Sequence, residues 1–151
     1  MQHISTLGLG PQRRGARQYL DITIDGRRLA ELLVPPGQPP PGHMDYIAPF
    51  GWPGEAWAWL AAEAAAHLLL QRPPELESGR RALLVCPECA HLSCGAITAA
   101  VERRGERYIW RAFDIESSYQ PYEGGPVAFT HMPELVFDAQ PYERLLRRML
   151  A

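Results

Sequence analysis

The sequence predicts an α+β fold: a small, mostly antiparallel sheet, a central helix and a C-terminal helix packed on it, and a cysteine-rich loop at one sheet end. Three patterns predict it. Residues 18–24 alternate, with Tyr19, Asp21 and Thr23 on one face and Leu20, Ile22 and Ile24 on the other. Residues 95–102 and 107–113 read as two strands joined at Arg104-Gly105, a hairpin. Two later stretches, 54–71 and 139–150, repeat apolar residues at helical spacing.

The remaining elements follow in chain order. Residues 1–17 carry Gly8, Gly10, Pro11 and Gly15 among arginines and show no period, so they predict a loose or extended start. After the strand at 18–24, Asp25-Gly26 predicts a tight turn, because glycine tolerates positive φ. Leu29, Leu32 and Leu33 stand at i, i+3 and i+4, which favours a short helix. Prolines 35, 36, 39, 40 and 41 exclude regular structure and predict an extended connector. Residues 43–52 are irregular but apolar and predict a segment packed on the core.

Pro53-Gly54-Glu55 opens the clearest helix: proline fits a first turn and Glu55 complements the helix dipole. Pro73-Pro74 bounds it. Residues 81–85 form a short apolar strand that runs into the cysteine loop. The stretch 115–132 is polar and rich in glycine and proline, a long loop. A short strand is expected at 134–137, and Asp138 as the cap of the last helix, with Tyr142, Leu145, Leu146 and Met149 as its apolar stripe.

Length and composition narrow the function classes. A chain of 151 residues, 46% hydrophobic, buries one core without disulfide staples, so a single domain over 1–151 is expected. The net charge of −2 gives no general electrostatic reason for nucleic-acid or membrane binding. All cations are arginine. The most hydrophobic run, 56–70, is shorter than the roughly 20 apolar residues that cross a bilayer, and Glu63 and His67 interrupt it. The first 18 residues lack an apolar signal core, which makes a cytoplasmic location the expectation.

All three cysteines fall in Cys86-Pro87-Glu88-Cys89-Ala90-His91-Leu92-Ser93-Cys94-Gly95. Two thiolates separated by two residues grip one ion while backbone N–H groups point at the sulfurs, and proline after the first cysteine fixes φ. The usual knuckle has glycine after the second cysteine, where φ is positive; here Ala90 stands there. Zinc held by Cys86, Cys89 and Cys94 is the first reading. Reduced structural thiols are the second. A disulfide, including a redox-active Cys86–Cys89 pair, is the third; it lacks the helix N-terminus that lowers a thiol pKa. A tetrahedral zinc needs a fourth ligand, for which the sequence offers His91 or His131, with His43 and His67 less suited, or a water or a partner's side chain.

The segment Leu83-Leu84-Val85-Cys86-Pro87-Glu88-Cys89, then Cys94-Gly95-Ala96-Ile97-Thr98, Val101-Glu102-Arg103 and Tyr108-Ile109-Trp110-Arg111, resembles a group of uncharacterised bacterial proteins. They share a strand, a Cys-Pro-x-Cys loop with a third Cys-Gly, and a hairpin containing tryptophan. Tyr19-Leu20-Asp21-Ile22-Thr23-Ile24-Asp25-Gly26-Arg27 and Phe137-Asp138-Ala139-Gln140-Pro141-Tyr142 are similar too. The resemblance implies a one-domain family and no activity.

Elsewhere the chemistry is sparse. Glu63 and His67 stand at i, i+4 on the long helix; a surface ion pair or packed histidine is the expected reading rather than a metal pair. Trp52, Trp57 and Trp59 are expected as core and helix-packing residues. Asp114, Glu116 and Glu123 are expected as a solvated acidic face, and arginines 13, 14, 17, 80 and 81 as solvated side chains. Phosphate-loop, nucleophile-elbow and zinc-protease motifs are absent, and Gly124-Gly125 reads as a turn. The expected function is a soluble, non-enzymatic binding or interaction protein with a zinc-binding structural loop. The proline-rich and 115–132 loops would meet a protein partner. The alternative is a thiol-redox or metal-dependent enzyme with an open metal position.

Overall fold

The structure, a computed structural model, describes residues 2–38, 45–50, 54–88, 90–118 and 128–150. The architecture is α+β. Strands β1 (Leu7–Arg14), β2 (Arg17–Ile24) and β3 (Arg27–Arg28) form one antiparallel sheet, followed by the one-turn helix α1 (Leu29–Leu32). Helix α2 spans Glu55–Leu68. Strands β4 (Arg81–Val85), β5 (Ala96–Arg104), β6 (Arg107–Glu116) and β7 (Leu135–Asp138) form a second antiparallel sheet in that order, and α3 (Ala139–Arg147) follows. The expected strands therefore divide between two sheets: the strand at 18–24 pairs with its own N-terminal neighbour, not with the later hairpin.

Backbone bridges tie the two sheets together at both edges. Ser5 N–H donates to the Val136 carbonyl at 2.7 Å, beside β7. On the other side, residues 45–50 pair with both sheets: Ile47 exchanges two hydrogen bonds with Val85 of β4, and Leu20 of β2 donates to the Phe50 carbonyl at 2.8 Å. Strand β3 ends opposite Thr23, so Phe50 takes over the exposed edge beyond it. The pairing closes into a circuit in which buried N–H and C=O groups find partners.

The extended start expected over residues 1–17 is a full strand. Its periodicity is hidden because Gly8 and Gly10 stand where side chains would alternate. A Cβ on Gly8 would lie 2.5 Å from Thr23 Oγ1, and one on Gly10 would lie 3.2 Å from Thr23 Cγ2, so the glycines make room for Thr23 on the neighbouring strand. Pro11 is tolerated because β1 is the outer strand of its sheet. The Asp25-Gly26 turn forms as expected, with φ of 53° and 85° at its two residues. The Asp25 carboxylate accepts from Thr6 N–H and His3 Nε2, both at 2.8 Å, and so anchors the N-terminal segment.

Helix α2 is shorter than the 54–71 expected. It stops before the prolines in a Schellman turn, with Gln71 N–H donating to Ala66 O, Leu70 N–H to His67 O, and Leu70 held at φ 61°. Ala61, Ala65 and Leu68 face the core. Asp138 takes the N-cap position of α3, but its side chain makes no cap bond; it pairs instead with Arg107 Nε at 2.6 Å. The core beneath α3 is aromatic. Tyr108 stacks on Tyr142 at 4.2 Å between centroids, and Trp110 meets Phe137 edge-on at 4.9 Å. Each such pair contributes about 0.5–1.5 kcal/mol beyond area burial.

Candidate functional site

The cysteine loop joins β4 to β5, as the sequence predicts. Its first half is a closed turn: Ala90 N–H donates to the Cys86 carbonyl at 2.9 Å, and Ala90 has φ 57°. Alanine thus occupies the left-handed position that glycine takes in metal knuckles, at a cost of about 1–2 kcal/mol. The second half is a 3-10 turn, Leu92–Cys94, ended by Gly95 at φ 98°. Three bonds pin it: Tyr46 Oη donates to Cys94 O at 2.7 Å, Ser117 Oγ to Ser93 O at 3.0 Å, and Ser118 N–H to Leu92 O at 3.1 Å. Gly95 is required as well as permitted, because a Cβ there would lie 2.8 Å from Tyr46 Oη.

Cys86 is half-buried and Cys94 exposed. Cys89 lies outside the described residues, as do His43, Trp52, Glu123, Gly124-Gly125 and residues 39–42 of the proline-rich connector. His91 is exposed within the loop and its carbonyl accepts from Cys94 N–H. His131 is engaged elsewhere: its Nε2 lies 3.0 Å from the Leu32 carbonyl at the end of α1. Among the described residues, no group of three or more His, Cys, Asp or Glu side chains converges as a metal cage.

Beside the loop lies a cleft of about 320 Å³ between α2 and β4. Ala90 and Leu92 of the loop form part of its wall, with Leu60, Ala64, Leu76 and Val85 around them. The cleft arises because α2 turns Trp59, Leu60, Glu63, Ala64 and His67 to the side while Ala61, Ala65 and Leu68 bury in the core. Trp59 is not a core residue: it stands 64% exposed on the cleft rim. Trp57 packs against Tyr19 and Ile47, as a helix-packing residue should.

The polar groups of the cleft form a defined network. His67 is buried, with Nε2 at 2.8 Å from Glu75 Oε1 and Nδ1 at 2.9 Å from Arg81 Nη1. Arginine can only donate, so His67 Nδ1 accepts and its Nε2–H donates to Glu75. This fixes the neutral tautomer in that arrangement. Glu63 does not join His67; it pairs with Arg72 at 3.4 Å. The packed-histidine reading holds.

Two arginines expected in solvent are buried. Arg80 reaches under the sheet, donating from Nε to Ala112 O at 3.0 Å and approaching Glu116 at 3.5 Å and Asp114 at 3.8 Å. Asp114 and Glu116 are accordingly not a solvated acidic face; their side chains are largely covered and hold Arg80. Ala112 has φ 55° at the bulge where the β5–β6 register slips. Arg81 donates from Nη1 to the Arg72 carbonyl at 2.7 Å as well as to His67. Burial pulls its guanidinium below the ordinary arginine range, and the Glu75 charge offsets this only in part. Sequence reasoning missed both residues. The available signal was Arg81's position inside an apolar strand, where a charge reaches solvent only with difficulty.

Among the described residues, no helix is long and apolar enough to cross a membrane. Compared with known proteins, the chain matches no family model, no curated protein and no solved structure.

Proposed function

We propose that the chain is a non-enzymatic binding module of a reducing compartment, the cytoplasm, whose cysteine loop is stapled by one zinc ion and walls a ligand cleft. The single observation that carries this reading is the Cys86–Ala90 turn. Its backbone bond and left-handed Ala90 close a turn after Cys86, which supports reading Cys86-Pro87-Glu88-Cys89 as a paired-thiolate knuckle. Cys86, Cys89 and Cys94 supply three ligands, and His91 is the candidate for the fourth, since His131 is held by Leu32. The loop then acts as a rigid wall, and zinc acts on binding through Ala90 and Leu92. A protein partner meeting the loop surface belongs to the same reading.

Elemental analysis of protein purified without chelator, paired with a thiol count, tests it. About one zinc per chain and thiols that react only after chelation are expected. A transition-metal-free protein whose three thiols react at once in the folded state overturns it. Zinc bound by three protein ligands plus water would favour the metal-dependent enzyme instead.

A further inference from the structure

We propose that the cleft between α2 and β4 binds a small organic carboxylate with a flat apolar body, its carboxylate on the Arg81 guanidinium and its ring against Trp59. The proposal rests on the binding-module reading and names the ligand class.

Arg81 carries the argument. The residue is 9% exposed, and among the described residues no carboxylate lies within ion-pair distance of it. Its two partners, the imidazole nitrogen of His67 and the Arg72 carbonyl, are both neutral and both bind Nη1. The neighbouring arginines differ: Arg72 has Glu63, and Arg80 has Asp114 and Glu116. A desolvated cation with no carboxylate in direct contact, only the charge of Glu75 across the neutral His67 ring, is costly, and such a charge lining a cleft is complementary to an anion. Nε and Nη2 make no hydrogen bond among the described residues, which leaves the planar fork that receives a carboxylate in bidentate fashion.

The surroundings select the class further. The two acids of the cleft are engaged, Glu63 by Arg72 and Glu75 by His67 Nε2, so neither competes directly for Arg81. A single cation already partly balanced by Glu75 suits a monoanion better than a phosphate ester. The remaining wall is apolar, and Trp59 offers an exposed indole face on the rim. A volume of about 320 Å³ sits at the low end for ligand sites and suits one or two fused rings, not a nucleotide.

The test compares acid and amide on the full chain: 2-naphthoate against 2-naphthamide, and phenylacetate against phenylacetamide, by calorimetry and tryptophan fluorescence. The acids are expected to bind at least about tenfold more tightly than the amides. Trp59→Ala weakens both, and Arg81→Gln removes the acid preference while Arg81→Lys keeps part of it. The wild-type ratio decides the matter even where Arg81→Gln does not fold. Equal binding of acid and amide overturns the carboxylate assignment and leaves the cleft a binding site. No binding of either at millimolar concentration overturns the assignment and removes the cleft from the binding-module reading as well; the zinc loop is tested separately by metal content.

Discussion

The indole N–H of Trp110 donates to the hydroxyl of Tyr142 at 3.0 Å, and that hydroxyl donates onward to the Leu68 carbonyl at 2.7 Å. One phenol therefore joins β6, α3 and the last turn of α2, whose carbonyls lack helical partners. Burial pushes the Tyr142 hydroxyl far above the ordinary tyrosine range, so it stays a donor wherever the fold persists. Tyr142→Phe strands a buried N–H and a buried carbonyl, and about 2–4 kcal/mol of stability should be lost. Urea unfolding checks this. Trp110→Phe combined with Tyr142→Phe should cost less than the sum of the two single changes, because both remove the same bond. Strict additivity would show that the relay is energetically silent.

Ala90 should prefer to be glycine. At φ 57° its Cβ is strained, and Ala90→Gly relieves about 1–2 kcal/mol against an entropic loss of roughly 0.5–1 kcal/mol. The variant should be slightly more stable and, as a zinc knuckle, should release metal to a chelator more slowly. Thermal melts with and without zinc separate the two effects. A stabilisation identical in both conditions would speak for a relaxed turn with no metal role.

Gly8 and Thr23 form a lock of opposite sense. Gly8→Ala places a methyl 2.5 Å from Thr23 Oγ1, which forces a shift worth about 1–3 kcal/mol. Thr23→Ala in the same chain should recover most of that loss. Denaturant midpoints of the single and double variants measure it, and failure of the rescue would place the cost of Gly8→Ala in the strand backbone.

Acid should loosen the N-terminal segment. Hydrogen bonds from His3 and Thr6 hold Asp25 below its ordinary value of 3.8. Its pKa is lower folded than unfolded, so its contribution is fully present above the unfolded value and disappears as pH falls through the folded one. Stability measured from about pH 6 down to pH 2 should therefore fall less steeply in Asp25→Asn, which tolerates the turn's positive φ. An unchanged acid slope would show that Asp25 is equally solvated in both states.

The legible parts of the fold were those written locally. Alternation revealed β2, the Arg104-Gly105 turn revealed the β5–β6 hairpin, and helical spacing revealed α2 and α3. Strand β1 was illegible because its glycines answer to Thr23 on another strand, not to their own neighbours. The cysteine loop was visible as a motif, and its pinning by Tyr46 and Ser117 was not. Arg81 looked like a surface cation, because its place at the head of an apolar strand hints at burial but does not tell that α2 will cover it.

Taken alone, the order of residues determined the α+β class, the turn at Asp25-Gly26, a hairpin turn that falls at Gly105-Glu106, one residue past the expected Arg104-Gly105, and the clustering of thiols between β4 and β5. These depend on backbone preferences and periodicity within a few residues. Tertiary structure decided that the strands form two sheets, that residues 45–50 bridge them, and that Arg81 shares a cleft with His67 and Trp59. Those outcomes depend on which distant segments exclude water from one another. A charge acquires its environment only when that exclusion is complete.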